Sequence, residues 1–206
     1  MAYIDLSYEG KKKFFGPLWI KMMKELKDMY DIEGRYNMLD IGCGKGVLTE
    51  IASKSLGIER VVGISIIDEE VEFSKKAYPQ FDFFNMNVEN MSFNDNEFDL
   101  IFSRGSYRFW KNKTKAFSEV YRVLRPGGFA LIGGGFGRIN PKEDVKEARK
   151  NLGNFRGKSG ADSRIPYPSR ERLAQMISDA GVKEFDFTPE DYPGMWITFS
   201  KKAREA

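Results

Sequence analysis

The chain has 206 residues, the size of one compact domain, and 41% of them are hydrophobic, which is enough for a sizeable core. Its 33 basic and 30 acidic residues are interspersed, and this balance disfavours a nucleic-acid-binding protein. No apolar run approaches the roughly 20 residues that a membrane helix needs, and we recognise no signal-peptide core, so we expect a cytoplasmic protein without a membrane partner.

The chain contains no histidine and one cysteine, Cys43. This composition removes the commonest general base, the usual catalytic triads and the usual zinc ligand sets, so we expect no metal site. Cys43 has no partner for an intrachain disulfide, which fits a reducing compartment. We expect its side chain to pack rather than to react.

The first predicted element is an amphipathic segment at 11–30, in which Gly16 and Pro17 predict a break or a helix start. Apolar runs then alternate with stretches of helical spacing. Strands are predicted at 37–41, 61–65, 81–86, 98–103 and 129–134. Helices are predicted between them at 47–57, 68–78 and 115–124, the last stopped by Arg-Pro-Gly-Gly. This alternation predicts right-handed βαβ units and a parallel sheet with helices on both faces, which is an α/β fold.

The pattern loosens after residue 134. It predicts a helix at 141–152, a mobile loop at 153–167, a helix at 169–181 that starts from Ser169, and two final strands at 182–187 and 195–200 that pair around Pro193 and Gly194. No internal repeat is present. We therefore expect a single domain over residues 1–206.

The most informative stretch is the glycine turn MLDIGCGKGVLTEIA (38–52), which follows a predicted strand and opens a predicted helix. Gly42, Gly44 and Gly46 allow positive φ and a close backbone approach to a ligand. Their spacing differs from the GxGxxG of dinucleotide-binding folds. Asp40 beside the turn would repel a phosphate and attract a cation, so an amino group or a sulfonium suits this turn better than a pyrophosphate.

Three stretches of the chain resemble a known family. DIGCGKG (40–46), NVENMSFNDNEFDLIFS (87–103) and KAFSEVYRVLRPGGFALI (115–132) are similar to motifs of the class I S-adenosylmethionine-dependent methyltransferases. SRGSYRFW (103–110) and IGGGFG (132–137) resemble a subgroup of small, uncharacterised microbial members. The resemblance covers roughly residues 35–200.

The resemblance implies a three-layer Rossmann-like methyltransferase fold with a mostly parallel seven-stranded sheet and a C-terminal antiparallel strand. It divides the chain into a helical lid segment (1–34), a cofactor-binding core (35–135) and a substrate-side portion (136–206). The implied cofactor is S-adenosyl-L-methionine, with S-adenosyl-L-homocysteine as product.

By the same resemblance, the turn at Gly42, Cys43, Gly44 and Gly46 would hold the methionine end and ribose of the cofactor, with Asp40 orienting the turn or meeting the amino group. The remaining cofactor contacts implied by similarity are Ser65 at the ribose diol, Ile66 on one face of the adenine, Asn87 and Val88 at the adenine edge, and Ser103 and Arg104 at the methionine end and methyl group.

Two positions depart from the family pattern. Ser65 stands where the family has an acid, and Asn87 stands where aspartate is common. A serine accepts fewer hydrogen bonds from a diol than a carboxylate does. Ser65 also begins an S-x-x-D capping pattern, so it would cap the next helix, bind the ribose, or do both. A further hypothesis is that Asp68 or Glu69 reaches the ribose after a rearrangement of the turn.

Methyl transfer from a sulfonium releases a neutral thioether, so positioning can supply most of the acceleration without a histidine. We expect transfer to a small-molecule acceptor, acidic or aromatic in character. The residues predicted to contact it are Phe15, Trp19, Tyr107, Trp110 and Arg138, with Tyr107 and Arg104 as catalytic candidates. For each aromatic residue, core packing is the competing interpretation.

Two functions remain as alternatives to methyl transfer. One is a catalytically inactive protein that binds S-adenosylmethionine or S-adenosylhomocysteine. The other is an enzyme that uses a modified adenosyl-sulfonium cofactor. The glycine spacing disfavours a nicotinamide oxidoreductase.

Overall fold

The computed structural model describes residues 8–32, 36–58, 60–158 and 165–203, without the side chains of residues 11 and 152–158. The helices are α1 (Tyr8–Met29), α2 (Val47–Leu56), α3 (Asp68–Ala77), α4 (Lys113–Val123), α5 (Lys142–Lys158) and α6 (Arg170–Asp179). The strands are β1 (Asn37–Ile41), β2 (Arg60–Ser65), β3 (Asp82–Asn85), β4 (Phe98–Arg104), β5 (Leu124–Gly135), β6 (Asp186–Phe187) and β7 (Gly194–Ser200). A short 3₁₀ helix lies at Tyr107–Phe109.

The seven strands form one sheet in the order β3-β2-β1-β4-β5-β7-β6. The first five strands run parallel, and β7 runs antiparallel to both β5 and β6. The predicted mostly parallel, seven-stranded α/β fold is thus confirmed. The order reverses between β1 and β4, and open α/β sheets bind ligands at the carboxyl ends of the strands at such a point.

Helices cover both faces of the sheet because alternate strand residues point to opposite sides. Met38 and Leu100 belong to a core shared with α1 and α2, whereas Leu39 and Ile101 belong to a core shared with α4 and α6. The three layers hold the ends of β1 and β4 rigidly side by side.

Helix α1 passes through Pro17 without the predicted break. Pro17 is exposed, while neighbouring residues such as Leu18, Met22 and Leu26 are buried in the core. Burial of this apolar face outweighs the loss of one backbone hydrogen bond at proline. Over Tyr8–Met29, the segment predicted as a lid is therefore a helix that packs in the core shared by the sheet, α1 and α2.

The C-terminal part differs from prediction in two places. Helix α5 continues to Lys158, so the first residues of the predicted loop at 153–167 are helical, and residues 159–164 lie outside the described part of the chain. The strand predicted at 182–187 is only the two residues of β6, because β6 pairs with β7 at two positions alone. The predicted Ser169 cap is confirmed, since its hydroxyl accepts from the Arg172 N–H.

Candidate cofactor and active site

The glycine turn joins β1 to α2 and needs glycine at three positions. Gly42, Gly44 and Gly46 have φ values of 78°, 55° and 75°, in the left-handed region that side chains rarely adopt. The backbone N–H groups of Gly42 and Cys43 both donate to Ile64 O, at 2.8 and 3.0 Å, so the turn is fixed to the neighbouring strand β2. Gly46 is the N-cap of α2 and brings no capping side chain.

The three glycines face different surroundings. A Cβ at Gly42 would collide with Ser106, and a Cβ at Gly46 would lie 2.8 Å from a ring carbon of Tyr78. At Gly44, the carboxylate oxygens of Glu70, both at 3.9 Å, are the only atoms of the described residues that a Cβ would meet. Packing therefore requires Gly42 and Gly46, whereas Gly44 presents open backbone beside a carboxylate. A ligand can approach the turn on this side.

Asp40 lies beneath the turn, 2% exposed. Its Oδ2 accepts a hydrogen bond of 2.6 Å from the Thr49 hydroxyl. Burial raises the pKa of Asp40 to about 6, and the Thr49 hydrogen bond opposes that rise. Asp40 is mostly ionised at neutral pH, so it places a negative charge under the turn that favours a cationic ligand. Its direct contact with a cofactor amino group stays a prediction.

The side chain of Cys43, within the glycine turn, packs against apolar neighbours. It is buried with Val71, Tyr78 and Phe83, and burial raises the pKa of its thiol. The side chain therefore serves packing, and the cofactor contact implied for Cys43 stays a prediction.

Ser65, the last residue of β2, is hydrogen-bonded to a carboxylate from the following helix. Its Oγ donates to Glu70 Oε2 at 2.9 Å and accepts from the Ile67 N–H at 3.3 Å. The predicted capping role is wrong in detail: α3 begins at Asp68 and its N-cap is Ile67, which makes no side-chain cap bond. The chain takes two further residues to turn into the helix, so Ser65 lies before the cap.

The carboxylate beside Ser65 is not one that the sequence analysis named. Asp68 instead accepts from the Asn85 side chain at 2.6 Å, and Glu69 is exposed. The family pattern places an acid at the end of β2 and gives no indication of Glu70, five residues further along the chain. Its signal was its place in the first turn of α3, where side chains lean back toward the helix N-terminus.

The residues predicted at the adenine lie on the same edge of the sheet. Ile66, which follows β2, is 69% exposed, and Val88 is buried in the core shared by the sheet, α4 and α6. Asn87 is exposed, and its Oδ1 already accepts from the Glu89 N–H at 2.9 Å. The exposed Ile66 side chain leaves an apolar surface for a flat ring, and the three adenine contacts stay predictions.

The end of β4 is fastened to the end of β1. The Ser103 hydroxyl donates to Ile41 O at 2.9 Å and lies 2.6 Å from the Ser106 hydroxyl. Arg104 donates from Nε and Nη2 to Gly135 O, at 3.0 and 2.8 Å. Its guanidinium lies over the rings of Phe136 and Trp19, 4.7 and 5.3 Å from their centres. A fixed positive charge thus sits where β4, β5 and α1 meet.

Comparison with known proteins identifies this arrangement. Residues 39–132 match the family described as the methyltransferase domain. The demethylmenaquinone methyltransferase of Chlorobaculum tepidum is 24% identical over 184 residues, 81% of this chain and 73% of that protein. The ubiquinone/menaquinone biosynthesis C-methyltransferase of Shewanella piezotolerans is 28% identical over 173 residues, 73% of this chain and 68% of that protein. A Methanococcus maripaludis structure, provisionally described as an S-adenosyl-L-methionine-dependent methyltransferase, is 25% identical, with a TM-score of 0.77 over 100% of this chain and 98% of that chain.

Together, the matched domain, these relatives and the shared fold support a class I S-adenosylmethionine-dependent methyltransferase. The cofactor of this methyltransferase is S-adenosylmethionine. The residues present fit that molecule: Gly44 leaves room for a close approach, and Asp40 and Glu70 supply negative charge and hydrogen-bond acceptors for a cationic ligand that carries hydroxyl groups.

The methyltransferase does not gather the predicted acceptor contacts into one aromatic pocket. Phe15 and Trp19 stack on each other in the core on the α1 face of the sheet, whereas Tyr107 and Trp110 pack together in the core on the α4 face. Arg138 is more exposed, and its Nη2 pairs with Asp191 at 3.1 Å. All four aromatic side chains pack in cores, as the competing interpretation expects, and their contact with an acceptor stays a prediction.

Tyr107 is poorly suited to act as a base in the methyltransferase. Burial raises the pKa of its phenol, with a smaller contribution from Tyr167 and an opposing one from Arg108. Little phenolate exists at neutral pH under these conditions. The catalytic role of Tyr107 stays a prediction with this observation against it.

A cavity of about 600 Å³ lies beside the predicted site rather than in it. It is lined by Tyr8, Glu9, Lys12, Glu50, Phe73, Ala77, Tyr78 and Gln80. None of these residues is among the predicted site residues. Over the described ranges, no cluster of acidic or cysteine side chains is arranged to hold a metal ion, and no helix is long and apolar enough to cross a membrane.

Proposed function

We propose that this methyltransferase transfers the methyl group of S-adenosylmethionine to a small-molecule acceptor with a flat ring of the quinone type. The observation that carries the proposal is the glycine turn, with open backbone at Gly44 next to the Glu70 carboxylate and above buried Asp40. It lies at the carboxyl end of β1, next to β4, where the strand order reverses.

Bound S-adenosylmethionine supplies a methyl group on a positively charged sulfur, whose leaving group is a neutral thioether. The protein's own residues position the cofactor and orient it toward the acceptor. The glycine turn binds through its backbone, Asp40 holds a negative charge under the turn, and Ser103 fixes the end of β4 to that of β1. Positioning of this kind lowers the barrier to a displacement reaction by a large amount, without proton transfer by the protein.

The quinone-type acceptor is supported by two kinds of observation. The relatives from Chlorobaculum tepidum and Shewanella piezotolerans are named for quinone biosynthesis, and each match spans most of this chain. Arg104 adds a guanidinium held by Gly135 O at the carboxyl end of β4. A positive charge there stabilises an acceptor oxygen that carries negative charge, as on a reduced quinone ring.

The proposal is tested by incubating the protein with S-adenosylmethionine and a panel of acceptors that contains reduced 1,4-naphthoquinone, a primary amine and an aromatic carboxylate. Mass spectrometry should find a naphthoquinol product that is heavier by one CH₂ group, because the acceptor gains CH₃ and releases one proton to solvent, together with S-adenosylhomocysteine. Arg104→Ala should lower this rate by about tenfold to a hundredfold, since it removes a charged hydrogen-bond donor.

Arg60→Ala is the matched control, because Arg60 is exposed at the start of β2, at the opposite end of that strand from the site. It should leave the rate unchanged. Methylation of the amine or the carboxylate alone would contradict the quinone-type acceptor. Binding of the cofactor without any product across the panel would favour the inactive binding protein.

A further inference from the structure

The end of β2 carries a hydroxyl where a nucleotide-binding α/β domain commonly places an acid for the ribose hydroxyls. Ser65 is that residue, and it is 6% exposed. The nearest acidic group is supplied by α3, because Ser65 Oγ donates to Glu70 Oε2 at 2.9 Å. The carboxylate has in effect moved five residues along the chain while staying next to the strand end.

Glu70 also faces the glycine turn. Both of its carboxylate oxygens lie 3.9 Å from the position that a Cβ of Gly44 would occupy. One turn further along α3, the Ser74 hydroxyl lies 3.0 Å from Gly44 O and 2.8 Å from Glu70 O, so helix and turn are tied together. Glu70 is therefore fixed between the end of β2 and the open backbone at Gly44.

The Glu70 carboxylate keeps unused acceptor capacity. Among the described residues, Ser65 is the hydrogen-bond donor to it, and no lysine or arginine of that part of the chain forms an ion pair with it. A carboxylate has about four lone-pair positions, of which the serine uses one. Two neighbouring hydroxyl groups match the remaining capacity, and the first turn of a helix favours the negative charge.

We propose that Glu70, oriented by Ser65, accepts the hydrogen bonds of the two ribose hydroxyls of S-adenosylmethionine. The inference rests on the proposed function, since it names a residue of the same cofactor site. It makes Glu70 the group that distinguishes a ribose from a deoxyribose, and it makes Ser65 a positioning residue.

The test is calorimetric binding of S-adenosylhomocysteine and of its 2′-deoxy analogue to the wild-type protein and to Glu70→Gln, Ser65→Ala and Glu72→Gln. Loss of a charge-assisted hydrogen bond corresponds to roughly tenfold to a hundredfold in affinity. Wild type should bind the 2′-deoxy analogue that much more weakly than S-adenosylhomocysteine. Glu70→Gln should lose affinity for S-adenosylhomocysteine, and its preference for the 2′-hydroxyl should shrink.

Ser65→Ala should reduce the same preference by less, since the carboxylate remains but is no longer oriented. Glu72→Gln is the matched control: it removes the same charge from an exposed position on α3 that pairs with Lys75. It should preserve both the affinity and the preference. Thermal unfolding of each variant verifies that all four proteins are folded, and the ratio of the two affinities is insensitive to a general loss of stability.

The outcomes separate this inference from the proposed function. If wild type binds S-adenosylhomocysteine and Glu70→Gln shows the same ribose preference, the inference is overturned and the proposed function stands. If wild type binds neither compound, both are overturned. An equal loss of preference in Glu72→Gln would likewise overturn the inference, because it would reflect general charge rather than a contact.

Discussion

Asp40 combines burial with a charge, and this combination makes stability depend on pH. Burial raises the pKa of its carboxyl from the ordinary 3.8 to about 6 in the folded protein. Folding therefore favours the protonated form. The resulting penalty is absent below pH 3.8, grows as the pH rises, and is complete above about pH 6.

Asp40→Asn should remove this penalty while an amide oxygen still accepts from Thr49. The variant should gain stability relative to wild type as the pH rises from about 4 to about 6, with a full difference of about 3 kcal/mol. Urea unfolding at several pH values measures the difference. A stability difference that stays constant over that range would contradict the raised pKa of Asp40.

Tyr107 tests the positioning account of the chemistry. A phenol with a raised pKa supplies little phenolate, so Tyr107→Phe should keep kcat within about tenfold of wild type on the acceptor that is turned over. The measurement is kcat against pH up to the alkaline range. A general base contributes roughly a hundredfold or more, so a loss of that size with a flattened pH profile would show that Tyr107 acts as the base.

At the scale of elements, α2 has a left-handed glycine at each side: Gly44 lies in the turn before the helix, where a ligand can approach, and Gly57 ends the helix. Gly44 and Gly57 share the left-handed conformation, with φ of 55° and 72°. A Cβ at Gly57, the C-cap of α2, would meet no atom of the described residues within 4 Å. The two glycines thus share backbone strain and differ in surroundings.

Gly44→Ala and Gly57→Ala should each cost roughly 1 kcal/mol of stability, because alanine is strained in this conformation. Gly44→Ala should also weaken S-adenosylhomocysteine binding by tenfold or more, since its methyl group occupies the open side of the turn. Calorimetry and urea unfolding on both variants measure the two effects. Equal binding by the two variants would mean that the ligand does not approach Gly44.

Local sequence patterns predict those elements whose burial follows a regular period. Periodicity and glycine punctuation predicted β1, β2, β4 and their helices because these elements bury one consistent face. The break predicted at Pro17 is wrong, because the helix-breaking tendency of proline is weaker than the apolar contacts of α1 on either side. The predicted strand at β6 is too long, because the length of β6 is limited by its pairing with β7 and not by its own composition.

Across the whole molecule, the candidate site has one part that local sequence patterns predict and another that only the fold reveals. The glycine turn and Asp40 were visible in sequence because their function depends on local spacing. The position of Glu70 beside Ser65 was not visible in sequence, because it depends on how the chain turns from β2 into α3. Trp19 and Trp110, both predicted acceptor contacts, lie in cores on opposite faces of the sheet, which only the fold shows, and their role at the acceptor stays a prediction.

The central claim, that the glycine turn binds S-adenosylmethionine, is tested most directly by isothermal titration of the wild-type protein with S-adenosylmethionine and S-adenosylhomocysteine. We expect one site per chain for each compound, with Kd well below about 1 mM. Absence of binding by both compounds at millimolar concentration would contradict the claim.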